Sequence, residues 1–395
     1  MPCPPDISIE VFGKTDVGLI REHNEDNFLV ADVTASLRTN EIKEPLKFAL
    51  GDRGVLFLVC DGMGGAAAGE VASRMAVESI FDVLAANEPQ ERDGFARAVR
   101  RAIEVANERI YVQSRDNQSE RGMGTTCTAA ALVDNTLIVG QIGDSRCYVL
   151  RNGRLAQVTK DQSLAWQLIE AGAMTAEEAK AFEHANIILQ ALGVQERVEV
   201  VLSQVDLRQG DLIVLCSDGL HGPVGDDEML ELLQRETDLQ KAADSLIQKA
   251  LDRDGPDNIT VVLARFGGTA LPPPAEGDVV GFVGYDPGPG PGGDAPSASD
   301  PAAFDHTMAS TATVNERIPQ ELLSDEAVTE GVVERSSRSG RSSGRASSSG
   351  SAIRTARSVL AFFFLALVAA AAGGIFVAKC ERDQAAHSSE RHGGP

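Results

Sequence analysis

The run Val55-Leu56-Phe57-Leu58-Val59-Cys60 is apolar throughout and stops at Asp61-Gly62-Met63-Gly64-Gly65-Ala66. A short β-rich stretch of this kind, opened by Gly54, reads as a strand covered on both faces, so the fold must supply packing partners on either side. The carboxylate at its end is carried on a rigid element, and the glycines after it let the backbone turn and approach an ion or phosphate closely. By itself an Asp-Gly after a strand is most often a turn. The arrangement recurs, however. Glu25-Asp26 opens Asn27-Phe28-Leu29-Val30, Asp218 closes Leu212-Ile213-Val214-Leu215-Cys216-Ser217, and Asp257-Asn258 opens Ile259-Thr260-Val261-Val262-Leu263-Ala264. If these strands are neighbours, their acids meet in one patch, which is costly unless cations fill it. Oxygen donors without His or Cys select hard ions such as Mg or Mn.

Six motifs follow one another along the chain: Arg21-Glu22-His23-Asn24-Glu25-Asp26, Asp61-Gly62-Met63-Gly64-Gly65, Met123-Gly124-Thr125-Thr126, Gly143-Asp144-Ser145-Arg146, Ser217-Asp218-Gly219-Leu220 and Gly255-Pro256-Asp257-Asn258. Each alone is weak evidence. In this order, over residues 6–268, they make the chain resemble the metal-dependent protein phosphatases, the protein phosphatase 2C family, in their bacterial form. The resemblance implies an α+β fold, a four-layer α-β-β-α sandwich with a flap at about 161–192. It also implies hydrolysis of phosphoserine and phosphothreonine by a water activated between two Mn or Mg ions. Asp61 would bridge the two ions, Asp218 and Asp257 would complete one, and Glu25 with the carbonyl of Gly62 the other. Arg21 would grip the phosphate in a bidentate fork. Asp26 and Asn258 would orient the waters on the ions. Asp144 would join Asp218 around a third ion, although Gly222 stands where some relatives have an acid, and a capping role for Asp144 weighs almost as much. Met63 stands where some members carry a His credited as general acid, leaving an ordered water or His184 to protonate the departing alkoxide.

The rest of the catalytic region reads as helices and strands in separate blocks, not in strict alternation. Val71, Ala72, Met75, Ala76, Ser79, Ile80, Val83 and Leu84 trace one helical face, and Phe95, Val99, Ile103, Ala106 and Ile110 trace another. Helices are expected at 226–236 and 238–253, a hairpin at Asn152-Gly153, and a capping box at Thr175 to Glu178. Residues 35–52 are polar and read as a loop or hairpin extension. Two long helices with strands before and after them point to sheets covered by helices. A formal charge of −22 excludes a phosphate-neutralising nucleic-acid binder. Cysteines without a Cys-x-x-Cys pair, mostly in apolar runs, fit a reducing cytosol.

Beyond residue 268 the composition changes. Residues 269–357, with Pro/Gly and then Ser/Arg runs, read as a flexible linker. Residues 358–378, without a charge from 359 on, match the hydrocarbon thickness of a bilayer and read as one transmembrane helix, followed by a short polar tail at 379–395. The N-terminus shows no signal sequence. The Arg residues before the span place the catalytic region in the cytoplasm, at the inner membrane. Expected partners are phosphoproteins, among them serine/threonine kinases and their substrates. The rival expectation is a catalytically silent phosphoprotein-binding or scaffold member of the same fold.

Overall fold

A computed structural model describes residues 6–64, 68–87, 91–180, 182, 184 and 186–289. Along the chain run β1 (Ser8–Asp16), β2 (Asn27–Asp32), β3 (Leu37–Thr39), β4 (Leu46–Ala49), β5 (Val55–Cys60), β6 (Gly62–Met63), α1 (Ala68–Ala86) and α2 (Arg92–Asp116). They are followed by β7 (Gly124–Thr125), β8 (Cys127–Val133), β9 (Thr136–Ile142), β10 (Arg146–Arg151), β11 (Arg154–Gln157), α3 (Leu164–Glu170) and α4 (Ala176–Lys180). The last set is β12 (Val201–Asp206), β13 (Leu212–Cys216), α5 (Asp218–His221), α6 (Asp226–Arg235), α7 (Leu239–Leu251) and β14 (Ile259–Gly267). Two six-stranded sheets result, ordered β11-β10-β13-β14-β1-β4 and β12-β9-β8-β5-β2-β3, with β6 and β7 as a separate pair.

The buried strand expected at 55–60 explains the layering. Every residue of β5 is buried. Leu56, Leu58 and Cys60 point into a core shared with Ala72, Ala76 and Ile80 of α1 and Val99 and Ile103 of α2. The alternate residues Val55, Phe57 and Val59 point into a core shared with Val11, Ile213, Val262 and Phe266 of the other sheet. Phe57 and Phe266 meet edge to face across that layer, ring centres 6.2 Å apart. A third core joins Phe12, Val214, Val261 and Leu263 to Met229 of α6 and Leu246 and Ile247 of α7. Helices thus cover the outer face of each sheet, because a strand apolar on both faces needs a partner on each.

Local signals match their elements. Asn152 and Gly153 both adopt positive φ, 51° and 73°, as the two-residue β10–β11 turn requires. Thr175 Oγ1 accepts from the Glu178 N–H at 3.2 Å and Glu178 Oε2 accepts from the Thr175 N–H at 2.8 Å, closing a capping box on α4. In the segment 161–192, α3 and α4 are followed by a return to Ser163, which bridges to Ile188.

Two expectations change. Residues 35–52 hold β3 and β4, which part company: β3 extends one sheet beside β2, and β4 extends the other beside β1. Both are short edge strands, β3 largely open to solvent and β4 half-buried through Leu46 and Phe48, set in a polar stretch that resembles a loop. The expected linker also begins later. Leu271 is 3% exposed in the core between the sheets. The Gln209 N–H donates to the Pro272 carbonyl at 2.9 Å. Further on, the Gln204 N–H donates to the Val283 carbonyl at 3.1 Å and the Tyr285 N–H to the Leu202 carbonyl at 2.9 Å, so the chain pairs along β12. Arg208 meets Asp278 at 3.2 Å, and Arg97 donates to the Pro287 carbonyl at 2.7 Å. Proline cannot donate to a ladder, but Pro272 and Pro287 take part through their carbonyls, which is why a Pro-rich stretch can still line a sheet edge. The remainder of the expected linker, the span at 358–378 and the tail lie outside the described residues. Among the described residues no helix is long and apolar enough to cross a membrane.

Candidate active site

Strand register alone gathers the acids. Asp16 of β1 pairs with Ile259 of β14, so the loop after β1 runs beside Asp257 and Asn258. Asn27 of β2 pairs with Cys60 of β5, bringing Glu25 and Asp26 next to Asp61. Cys216 of β13 pairs with Val261 of β14, and the Ser217 N–H donates to the Thr260 carbonyl at 3.2 Å, which sets Asp218 beside the same strand end. Strand ends from both sheets therefore converge at one end of the sandwich.

The backbone there is tightly fixed. The Asp61 N–H donates to Thr126 Oγ1 at 2.9 Å, while its carbonyl accepts from the Thr126 N–H and Thr125 Oγ1, each at 2.8 Å. The Gly62 N–H donates to the Glu25 carbonyl at 3.2 Å. A Cβ on Gly62 would stand 2.3 Å from the Gly69 carbonyl oxygen and 2.5 Å from that of Glu25, so no side chain fits where these segments meet. Gly219 lies equally close, 1.9 Å from such an atom to the Asn258 carbonyl oxygen.

Asn258 ties backbone segments together. Its Nδ2 donates to the carbonyls of Val17 (2.9 Å) and His23 (3.0 Å), and its Oδ1 accepts from the Glu25 N–H (2.8 Å). With both donors committed to backbone, it staples the Arg21–Glu25 loop to β14. Asp26 is buried, and its Oδ2 accepts from Ser217 Oγ and Thr260 Oγ1, both at 2.7 Å. Arg21 Nη2 donates to Asp257 Oδ2 at 2.6 Å. Asp144 lies in the loop before β10. His221, absent from the sequence reading, sets its Nε2 3.0 Å from the Asp144 carbonyl oxygen and is held well below the usual imidazole range by burial and by Arg146. Nothing in Ser217-Asp218-Gly219-Leu220-His221 distinguishes this histidine from a helix-end residue; only the packing of α5 against the β9–β10 loop does. Arg146 of the same motif is occupied elsewhere, gripping Asp161 through Nη2 at 2.7 Å and Nε at 2.9 Å. His184 packs edge-on against Phe182.

The acids crowd one another electrostatically. Burial raises Asp61 well above the usual carboxylate range, and Asp26, Asp218, Asp144 and Asp257 raise it further. Burial and then Asp257 raise Asp218. Burial raises Glu25 against the pull of Arg21. Burial pushes Asp26 up to about 7, over the opposing hydrogen bonds from Thr260 and Ser217, and burial followed by Asp218 pushes Asp144 up to about 8.

Three buried carboxylate oxygens, Asp26 Oδ1, Asp144 Oδ1 and Asp218 Oδ1, have no hydrogen-bond partner. No group of three or more His, Cys, Asp or Glu side chains among the described residues is already closed around one point. Asp61 and Asp218 lie within hydrogen-bond reach of each other, and a divalent cation is the partner that relieves the repulsion of such oxygens. The unpartnered oxygens, the all-oxygen donor set and the glycine cradle fit divalent cations.

A pH dependence follows. The folded-state values of Asp26 (about 7) and Asp144 (about 8) lie above the ordinary 3.8, so these groups favour the folded state most at low pH, and that contribution is lost as pH rises from about 4 through 8. The melting midpoint of chelator-treated protein is expected to fall between pH 5 and pH 8.5. Saturating Mn is expected to raise it by about 5–10 °C at pH 8.5 and by less at pH 5, where protons compete. Differential scanning calorimetry checks this; a metal-free midpoint that climbs with pH would contradict it.

The comparisons agree with this geometry. The family model described as Protein phosphatase 2C matches residues 46–263. The serine/threonine phosphatase stp of Listeria monocytogenes is 37% identical over 259 residues, spanning 64% of this chain and 94% of that protein. The crystal structure of the Mycobacterium tuberculosis serine/threonine phosphatase PstP/Ppp superposes with a TM-score of 0.56 at 35% identity, covering 66% of this chain and 99% of that one. The catalytic domain of PstP in complex with two manganese ions superposes with a TM-score of 0.55 at 34% identity, covering 66% and 99%. The chain belongs to the protein phosphatase 2C family.

Proposed function

We propose that this chain is a metal-dependent serine/threonine phosphatase that hydrolyses phosphoserine and phosphothreonine on proteins. One observation carries the reading: acids from strand ends of both sheets meet around Asp61 with Arg21 as their cationic neighbour. Asp61, Asp218 and Asp257 would hold one divalent cation, and Asp61, Glu25 and the Gly62 carbonyl a second. Asp144 and Asp218, each with a buried unpartnered oxygen, would serve a third. Bound Mn or Mg would supply positive charge beside the phosphoryl oxygens and lower the pKa of water toward neutrality.

The chain's own residues do the remaining work. Arg21 spends Nη2 on Asp257, and among the described residues its other donors make no hydrogen bond, so they are available to phosphate oxygens. Asn258 fixes the loop that carries Arg21 and Glu25, so the clamp and the acids keep their spacing. Met63 offers no proton, and the leaving alkoxide takes its proton from water. The silent-scaffold alternative requires a lost ligand, and the acids are all present. The uncharged stretch from 359 supports a single membrane span with the catalytic domain on the cytoplasmic side, near membrane kinases whose phosphorylation it opposes.

The test is phosphate release from a phosphothreonine peptide by the full chain with Mn, Mg or chelator. Activity with metal and none with chelator is expected. A well-folded protein that stays inert with every divalent metal would overturn the proposal.

A further inference from the structure

Next to the phosphate clamp the chain exposes two large apolar side chains on a turn whose backbone is held by hydrogen bonds at Val17, Gly18 and Leu19. Leu19 is 65% exposed and Ile20 is 68% exposed, and Arg21 follows directly. The turn that carries them is pinned from several sides. The Leu19 N–H donates to the Gly255 carbonyl at 2.9 Å, Asn258 Nδ2 to the Val17 carbonyl at 2.9 Å, and the Gly18 N–H to Asp16 Oδ1 at 2.9 Å. Gly18 has φ +78°, and a Cβ there would stand 2.2 Å from the Asp257 carbonyl oxygen, so the turn rests directly on a loop of the acid cluster. Single exposed apolar residues are ordinary on any protein. Here two are consecutive and rigidly mounted, with Val17 also exposed, and Met63 lies 39% exposed two residues beyond Asp61. Folding gains little from any of them, and all stand beside the reaction centre.

We propose that Leu19 and Ile20 form the subsite that reads the residue next to the phosphorylated Ser or Thr, and that this subsite selects an apolar side chain. This rests on the phosphatase reading above and names the substrate class it acts on. The argument is one of reach. Consecutive Cα atoms are about 3.8 Å apart, and an extended peptide advances about 3.3 Å per residue. A phosphoresidue gripped by Arg21 therefore has its neighbours within reach of Leu19 and Ile20, the two residues before Arg21. An apolar neighbour buries surface there, whereas an acidic one meets an apolar lip backed by Glu22 and the clustered carboxylates. The lip adjoins Arg21 in the chain, and its turn rests on the Asp257 backbone.

Phosphothreonine peptides identical except for Leu, Ser or Glu at the two flanking positions test it on the full chain with Mn. The wild type is expected to favour Leu over Ser by about tenfold in kcat/KM, a discrimination ordinary for one apolar contact. The double variant Leu19→Ser/Ile20→Ser is expected to bring that ratio to within about twofold of unity. Ile20→Lys, a separate surface change, is expected to turn the preference toward Glu. Equal kcat/KM for all three peptides in the wild type would overturn the proposal and leave the phosphatase reading intact, as would a Leu preference that survives both variants. A wild type inert on every peptide would bring down the phosphatase reading itself.

Discussion

Asp218→Asn is expected to lower metal-dependent kcat/KM on a phosphothreonine peptide by at least about a thousandfold, equivalent to about 4 kcal/mol of lost transition-state stabilisation. The substitution keeps the shape of the side chain and removes its charge. Asp218 holds a buried oxygen without a partner and is raised by burial and by Asp257, so its charge is unfavourable until a cation arrives. The variant should therefore show an unusual pair of properties: a metal-free melting midpoint at or above that of the wild type, and little or no rise on adding Mn. Asp257→Asn should be equally inactive, although it also loses the charge that pairs with Arg21 at 2.6 Å. Calorimetry with and without Mn, beside the activity assay, separates loss of the cation from loss of the fold. Wild-type activity in either variant would refute the assignment.

Arg21→Ala is expected to lower kcat/KM by about a hundredfold, with Arg21→Lys recovering only part of it because a lysine cannot present the planar fork. Mn binding should survive in both. In the structure Arg21 competes for an oxygen of Asp257, so removing it should leave metal affinity unchanged or stronger. Titration of Mn followed by melting midpoint reports affinity, and steady-state kinetics reports phosphate handling. An Arg21→Ala enzyme as active as the wild type would make the arginine a partner of Asp257 and nothing more.

The positions of the acids were legible because each sits at the boundary between a β-rich run and a turn, and a strand delivers its end residue to a definite place once its neighbours are known. Asp61, Asp218 and Asp257 needed only that. The backbone partners of Asn258 were not legible, since a primary amide carries no mark of whom it bonds, and Val17, His23 and Glu25 are brought to it only by the fold. His221 was hidden because its partner is a main-chain carbonyl 77 residues away. The edge strands β3 and β4 were hidden for a related reason: β3 is three largely exposed residues, and β4 offers only Leu46 and Phe48 in alternation, too short a run to stand out from the polar residues around it. The segment past β14 misled through composition, because prolines exclude a residue from donating in a ladder but not from lying along one.

That segment bears on where the protein can be divided. A fragment ending at 268, the boundary its composition recommends, would strip the outer side of β12 and leave the place of Leu271 open to solvent. Bare strand margins recruit other chains, so such a fragment is expected to self-associate, which size-exclusion chromatography would report. A stop after Pro289 keeps that margin covered.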